Sequence, residues 1–144
     1  MKKCIIILAT LALSLAACAD RHQLISYSEL PMQAQVFVQT HFNSADVMHV
    51  ERERDGAQVE YNVYLKNNIE IEFNHLGALK SIDCNRSAIP DSILPELIRH
   101  YVAYYFPENI IVEYIVGPRR MTVELNNGLE LYFDHEGNYL GMDD

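Results

Sequence analysis

Cysteine is scarce in this chain: three residues, at 4, 18 and 84, among 144. There is no CxxC and no Cys/His ligand spacing, so a structural zinc site of the usual kinds is excluded. Positive charge is scarce too. Eleven Lys and Arg against 20 Asp and Glu leave a formal net charge of −9. Nucleic acid is a poor partner for such a chain, because phosphate binding needs a basic face, and anionic lipid is no better. Basic proteins or cations are electrostatically easier. The signatures of catalysis are also missing. No G-x-S-x-G, no H-E-x-x-H, no phosphate loop and no Gly-rich nucleotide turn occurs. No apolar run reaches the ~20 residues of a membrane-spanning helix. The expectation is a non-enzyme with no cofactor and no metal.

What is present begins with a secretory signal. Lys2 and Lys3 precede a compact apolar run from Cys4 to Leu15, and small residues lead up to Cys18. Leu15-Ala16-Ala17-Cys18 looks like a bacterial lipobox, which makes residues 1–17 the signal and Cys18 an acylated first mature residue. Acyl chains hold a protein to a membrane without a spanning helix. Losing Lys2 and Lys3 takes the formal charge from −9 to −11. Ala19 after the lipid site, with Asp20 the one acid close by, points to an outer-membrane anchor facing the periplasm. With Cys4 removed and Cys18 acylated, Cys84 is left as a lone thiol, half-buried, so no intrachain disulfide is expected. Residues 18–27 read as a tether.

The remainder, 28–144, reads as one domain made of two copies of one unit, 28–83 and 88–143. Asn67 to Asp83 lies over Asn127 to Asp143 at an offset of 60, with Glu70, Phe73, His75, Gly77 and Asp83 repeated identically. Upstream the offset is 64, where Ser28, Leu30, Pro31 and Phe42 match Ser92, Leu94, Pro95 and Phe106. Repeats of this kind fix the architecture. Each copy opens with a helical stripe: Leu30, Ala34, Phe37, Val38 and His41, then Leu94, Ile98, Tyr101, Val102 and Tyr105. Ser28 and Ser92 are candidate N-caps, Pro31 and Pro95 fall in the first turn, and Asn43 and Pro107 mark the stops. His41 on that stripe is expected to be packed.

Four alternating strands follow each helix. In the first copy they cover about Val47–Glu53, Val59–Leu65, Ile69–Phe73 and Ala78–Asp83. In the second they cover about Ile110–Val116, Met121–Leu125, Leu129–Phe133 and Asn138–Met142. Asn67-Asn68 and Asn127-Gly128 suit two-residue hairpins with positive φ. Asn74 to Gly77 and Asp134 to Gly137 suit type I turns closed by a positive-φ glycine, which leaves His75 and His135 exposed and structural demand on them slight. The fold class is α+β: tandem α-β-β-β-β repeats in one antiparallel sheet, both helices on one face and the other face open.

The two "LP" helix starts, Leu30-Pro31 with Phe42 and Leu94-Pro95 with Phe106-Pro107, and the run Asn127-Gly128-Leu129-Glu130-Leu131-Tyr132-Phe133-Asp134 with Gly137 carry a family resemblance. The chain resembles, from Ser28 to its C-terminus, the PepSY-like family of Bacteroidetes secreted lipoproteins. The first copy departs from the pattern at Asn68, at Asn74 and by lacking Pro after Phe42. The resemblance implies a beta-lactamase-inhibitory-protein-like fold. It also implies a mode of action in which the open sheet face and a hairpin loop grip an enzyme, as related modules are proposed to restrain peptidases.

Two candidate surfaces follow. By alternation the open face presents Glu60, Tyr64, Glu70, Glu72, Thr122, Glu124, Glu130 and Tyr132, an acidic surface with tyrosines suited to a protein contact. The segment Glu51 to Gly56, longer than its counterpart Val116 to Arg120, is expected to be a charged loop on which Arg52, Arg54 and Asp55 dock a partner. The leading expectation is a non-catalytic envelope lipoprotein that binds an envelope protein. The alternative is a periplasmic small-ligand or cation carrier.

Overall fold

The computed structural model describes residues 21–143. The expected signal at 1–17 and the Cys18 lipid site lie outside the described residues. Eleven elements follow in the order β1 (His22–Ile25), α1 (Met32–His41), β2 (Val47–Asp55), β3 (Gln58–Leu65), β4 (Ile69–Asn74), β5 (Leu79–Asp83), α2 (Glu96–Tyr105), β6 (Ile111–Val116), β7 (Met121–Leu125), β8 (Glu130–Phe133) and β9 (Tyr139–Asp143). Nine strands form one sheet in sequence order, and every pairing is antiparallel. The two repeats become one sheet where β5 pairs with β6 through Ser81 with Ile115, Ile82 with Tyr114 and Asp83 with Glu113.

The alternation seen in the sequence decides the faces. Val63, Ile71, Phe73, Ile82, Val123, Leu131 and Phe133 project to one side and are fully buried beneath the helices. Burial of each such side chain contributes roughly 1.5–3 kcal/mol. The copies pack alike. Phe37 of α1 meets Phe73 edge-on with ring centroids 5.4 Å apart, and Tyr101 of α2 meets Phe133 edge-on at 5.4 Å. Both helices therefore cover the same face. Register shifts recur at matching places, after Val47 and Ile111 and after Glu72 and Tyr132, so even the bulges are duplicated. His41 is half-buried, in tilted ring contact with Phe37 at 4.6 Å between centroids, and hydrogen-bonded through Nδ1 to Ser92 Oγ at 2.9 Å.

Four expectations are corrected. The tether contains a strand: His22–Ile25 adds β1 to the edge, pairing residue by residue with Val50 to Glu53. The charged segment from Glu51 to Gly56 is strand rather than loop. β2 runs through Asp55, and only Gly56 and Ala57 turn. In the part of β2 that extends beyond its counterpart β6, Glu53 pairs with His22 and Arg54 N–H donates to Arg21 O. Ser28 and Ser92 are not caps, since Pro31 and Pro95 hold the N-cap positions and no side chain caps either helix. At Asn127-Gly128 only the glycine has positive φ, 85°. Gly128 N–H donates to Leu125 O and Leu125 N–H to Leu129 O, which makes a type I turn with a glycine bulge, whereas Asn67 and Asn68 both have positive φ as expected.

The duplicated turns hold as read. Asn74 Oδ1 accepts from the N–H groups of Leu76 and Ala78, and Asp134 Oδ1 from those of Glu136 and Asn138. His75 and His135 are exposed. The glycines have a second role. A Cβ on Gly77 would lie 2.8 Å from Pro31 Cβ, and one on Gly137 3.0 Å from Leu97 Cβ, so each turn seats on the first turn of its helix. No helix of the described residues is long and apolar enough to cross a membrane.

Candidate functional site

The open face is built by the residues that alternate away from the helices. Counting the register across it places Tyr64 opposite Glu70, then Glu70 opposite Asp83, Asp83 opposite Glu113, Glu113 opposite Glu124, Glu124 opposite Glu130 and Glu130 opposite Asp143. Six carboxylates on six consecutive strands thus form one transverse row that starts beside Tyr64. At about 4.8 Å per strand the row runs roughly 24 Å.

Crowding of like charge has a chemical consequence at its centre. Burial first, then a hydrogen bond with Glu124 and the charges of Asp83, Glu124 and Glu130, push the Glu113 carboxyl up to about 7. Tyr64 is affected at the row's start. Burial, then the charge and hydrogen bond of Glu70 and the charges of Glu51 and Glu53, push its hydroxyl up to about 12. Tyr64 stacks on His49, with centroids 4.4 Å apart and planes within 17°.

One row over, the charges are paired. Lys80 Nζ lies 2.7 Å from Glu60 Oε1 and 2.5 Å from Glu72 Oε1, while Ser81 Oγ donates to Glu72 Oε2. Burial alone would raise the Glu72 carboxyl, but its hydrogen bonds with Glu60, Lys80 and Ser81 outweigh that and hold it below the usual carboxylate range. Tyr132 is also engaged. Its hydroxyl donates to Glu130 Oε2 at 2.8 Å, and the Arg120 guanidinium covers its ring at 3.6 Å.

The sequence-predicted residues therefore divide. Glu70, Glu124 and Glu130 share the row, with Tyr64 at one end. Glu72 sits in the Lys80 pair. Tyr132 is separated from Tyr64 by four intervening strands, so the tyrosines do not make one patch. Arg52 and Arg54 lie opposite Tyr61 and Val59, on the helix side of the sheet, and Arg52 Nη2 donates to Gln23 Oε1. Asp55 pairs with Gln58 at the hairpin end. The expectation that Arg52, Arg54 and Asp55 share a docking loop is thus corrected: strand alternation sends the arginines to the face opposite Glu51 and Glu53. Asp83, Glu113 and Asp143 were missed as members of the row. The signal was present at Glu113, a lone acid in the apolar run "IVEYIV", but register across a bulged pair is not visible in one strand.

Among the described residues no three His, Cys, Asp or Glu converge as ligands for one metal ion. The carboxylates are spread along a line. The arrangement suits several separate cationic groups rather than a point charge.

Solved structures similar to this one cover most of the chain. A "putative periplasmic protein" of the DUF2874 family from Bacteroides vulgatus is 31% identical, with a TM-score of 0.81, covering 88% of this chain and 99% of that one. A "putative calcium-regulated periplasmic protein" from Bacteroides thetaiotaomicron is 28% identical, with a TM-score of 0.83 over 88% of this chain and 99% of that one. A further "putative periplasmic protein of unknown function" from Bacteroides vulgatus is 28% identical, with a TM-score of 0.80 over 85% of this chain and 99% of that one. No curated protein matches the sequence. The pattern of the family described as "Putative beta-lactamase-inhibitor-like, PepSY-like" matches residues 17–60 and 59–140, and the chain belongs to that family.

Proposed function

We propose that this is a non-catalytic lipoprotein of the cell envelope, anchored through Cys18 and facing the periplasm, whose open sheet face binds a basic protein partner. The observation that carries this reading is the row of six carboxylates from Glu70 to Asp143. Like charges held in cross-strand register repel one another in the free protein, and Glu113 near 7 reports that repulsion together with its burial. Lysine or arginine side chains laid along the row relieve the repulsion, which gives a basic partner an advantage over a neutral one. The inhibitor-like family and the periplasmic relatives support a binding role in the envelope.

The test is capture of a purified basic partner recovered from envelope extract by cross-linking. Replacing Glu70, Glu124 and Glu130 together by Gln is expected to reduce the association rate at least tenfold at low salt. Capture undiminished by that triple substitution would remove the row as the contact surface. Enzyme inhibition is the narrower form of the same reading and is assayed on the captured partner.

A second reading, cation binding, is favoured by one relative described as calcium-regulated. It predicts a calcium-dependent rise in melting temperature. A ligand at a hundred times its Kd stabilises by about 2.7 kcal/mol. No shift with calcium, alongside intact partner capture, decides for the protein-binding reading.

A further inference from the structure

One difference between the two repeats on the helix side opens a cavity. In the first repeat Tyr27 lies along α1. Its hydroxyl donates to the Gln35 carbonyl at 2.9 Å and also meets the Gln39 side chain. Gln35 in turn ties down the chain ahead of the helix, with Nε2 donating to Leu30 O at 2.8 Å. The second repeat has the same backbone turn, since Ile93 N–H donates to Pro90 O as Glu29 N–H does to Ser26 O. Its side chains are different. At the offset of 64, Tyr27, Gln35 and Gln39 become Asp91, Arg99 and Ala103.

The ring and the amide that fill the first repeat are thus gone from the second. A cavity of about 240 Å³ stands there, walled by Ile89, Leu94, Val102 and Ile111, with Arg99 and Asp91 as its charged members. Arg99 is underused. Its Nε is shielded from solvent with no hydrogen-bond partner among the described residues, and its Nη1 is 3.8 Å from Asp91 Oδ2, beyond hydrogen-bond distance. Asp91 itself is 85% exposed. A guanidinium against apolar walls, with its fork unmet, is a receptor for a planar anion.

We infer that this cavity binds a small organic monocarboxylate, its carboxylate on Arg99 and its apolar body against Ile89, Leu94, Val102 and Ile111. A phosphate dianion fits less well, because one arginine with Asp91 beside it offers too little positive charge. The volume is below the roughly 300 Å³ at which drug-sized pockets begin, so the body is a few carbons long. Such a group is supplied either by a free short-chain acid or by the last residue of a peptide ending in an apolar side chain.

Amide spectra of the purified protein, titrated with hexanoate, hexanamide and N-acetyl-leucine, test this. Hexanoate is expected to shift the amides of Ile89, Val102 and Ile111 with a millimolar Kd, and hexanamide to bind at least tenfold more weakly. Arg99→Gln, which copies the first repeat, is expected to lose at least tenfold in hexanoate affinity. Asp91→Tyr, which restores the first repeat's ring, is expected to block binding; if that variant fails to fold, the amide control and Arg99→Gln decide. N-acetyl-leucine binding better than hexanoate assigns the site to peptide C-termini, and the reverse assigns it to free acids. Equal binding of acid and amide, unchanged binding by Arg99→Gln, or no shift with either acid at millimolar concentration overturns the proposal.

Discussion

Glu113 lies between Asp83 and Glu124 in the carboxylate row, and burial with its acidic neighbours raises its carboxyl from the ordinary 4.5 to about 7. Between those two values the native protein keeps a proton that the unfolded chain has released. Stability is therefore highest at or below about 4.5 as far as this group is concerned, and falls as pH rises to about 7. The side chain is partly open to solvent, so screening reduces the effect to on the order of 1 kcal/mol. Glu113→Gln should flatten this slope and gain on the order of 1 kcal/mol over the wild type at pH 8, read by urea unfolding at pH 5 and 8. Parallel slopes in the two proteins would show that Glu113 does not titrate in this window. Cys84 makes a second residue-scale case. It is 1% exposed, and burial with the charge of Asp83 pushes its thiol up to about 11. The sequence suggested a half-buried thiol; the structure buries it fully. Reaction needs an accessible thiolate. A thiol reagent at pH 8 should leave native Cys84 untouched and react on addition of denaturant.

Gly77 and Gly137 show how the elements of each repeat are joined. Gly77 combines a φ of 86° with a would-be Cβ 2.8 Å from Pro31 Cβ and 2.9 Å from the Ala34 amide. Gly56 has a φ of 61° and nothing within 4 Å. Gly56→Ala should cost only the left-handed penalty, about 1–2 kcal/mol. Gly77→Ala adds the displacement of α1 from the sheet, a further roughly 1–3 kcal/mol. Thermal melts of the two variants give the comparison, and equal losses would mean that the helix contact contributes nothing. At this scale the sequence was a good guide wherever side-chain period and turn chemistry agreed. The duplicated Asn-x-x-Gly and Asp-x-x-Gly turns, the eight strands of the repeats and both helices follow from local patterns. β1 did not, because "HQLI" is too short and too polar to stand out, and becomes a strand only by pairing with β2. The same pairing explains why "ERERD" was mistaken for a loop: its Glu–Arg alternation is a strand with acids on one face and arginines on the other. The acid row was half legible. Alternation names Glu70, Glu124 and Glu130, but joining them through Asp83 and Glu113 requires the β5–β6 register, a contact between repeats that no local pattern encodes.

Charge is distributed over the molecule in a way that no single element reveals. The chain carries −9 overall, and the open face gathers Glu51, Glu53, Glu60, Glu70, Glu72, Asp83, Glu113, Glu124, Glu130 and Asp143 while the helix side of β2 carries Arg52 and Arg54. Lys80 and Arg120 offset only part of that charge, and the predominantly negative face acts over about 10 Å at 0.1 M salt and over about 3 Å at 1 M. On the proposed reading, such a field would accelerate encounter with a basic partner more than it would hold the partner afterwards. Association of the captured partner should slow steeply as salt rises from low to molar, while dissociation changes little. The Glu70, Glu124 and Glu130 to Gln variant should start slower and show a shallower salt dependence. A long-range field predicts this pairing of effects, and surface plasmon resonance across a salt series reads both rates at once. If the variant lost affinity through faster dissociation at every salt concentration, the glutamates would be acting as local hydrogen-bond acceptors at the contact, and the whole-face field would have no part in recognition.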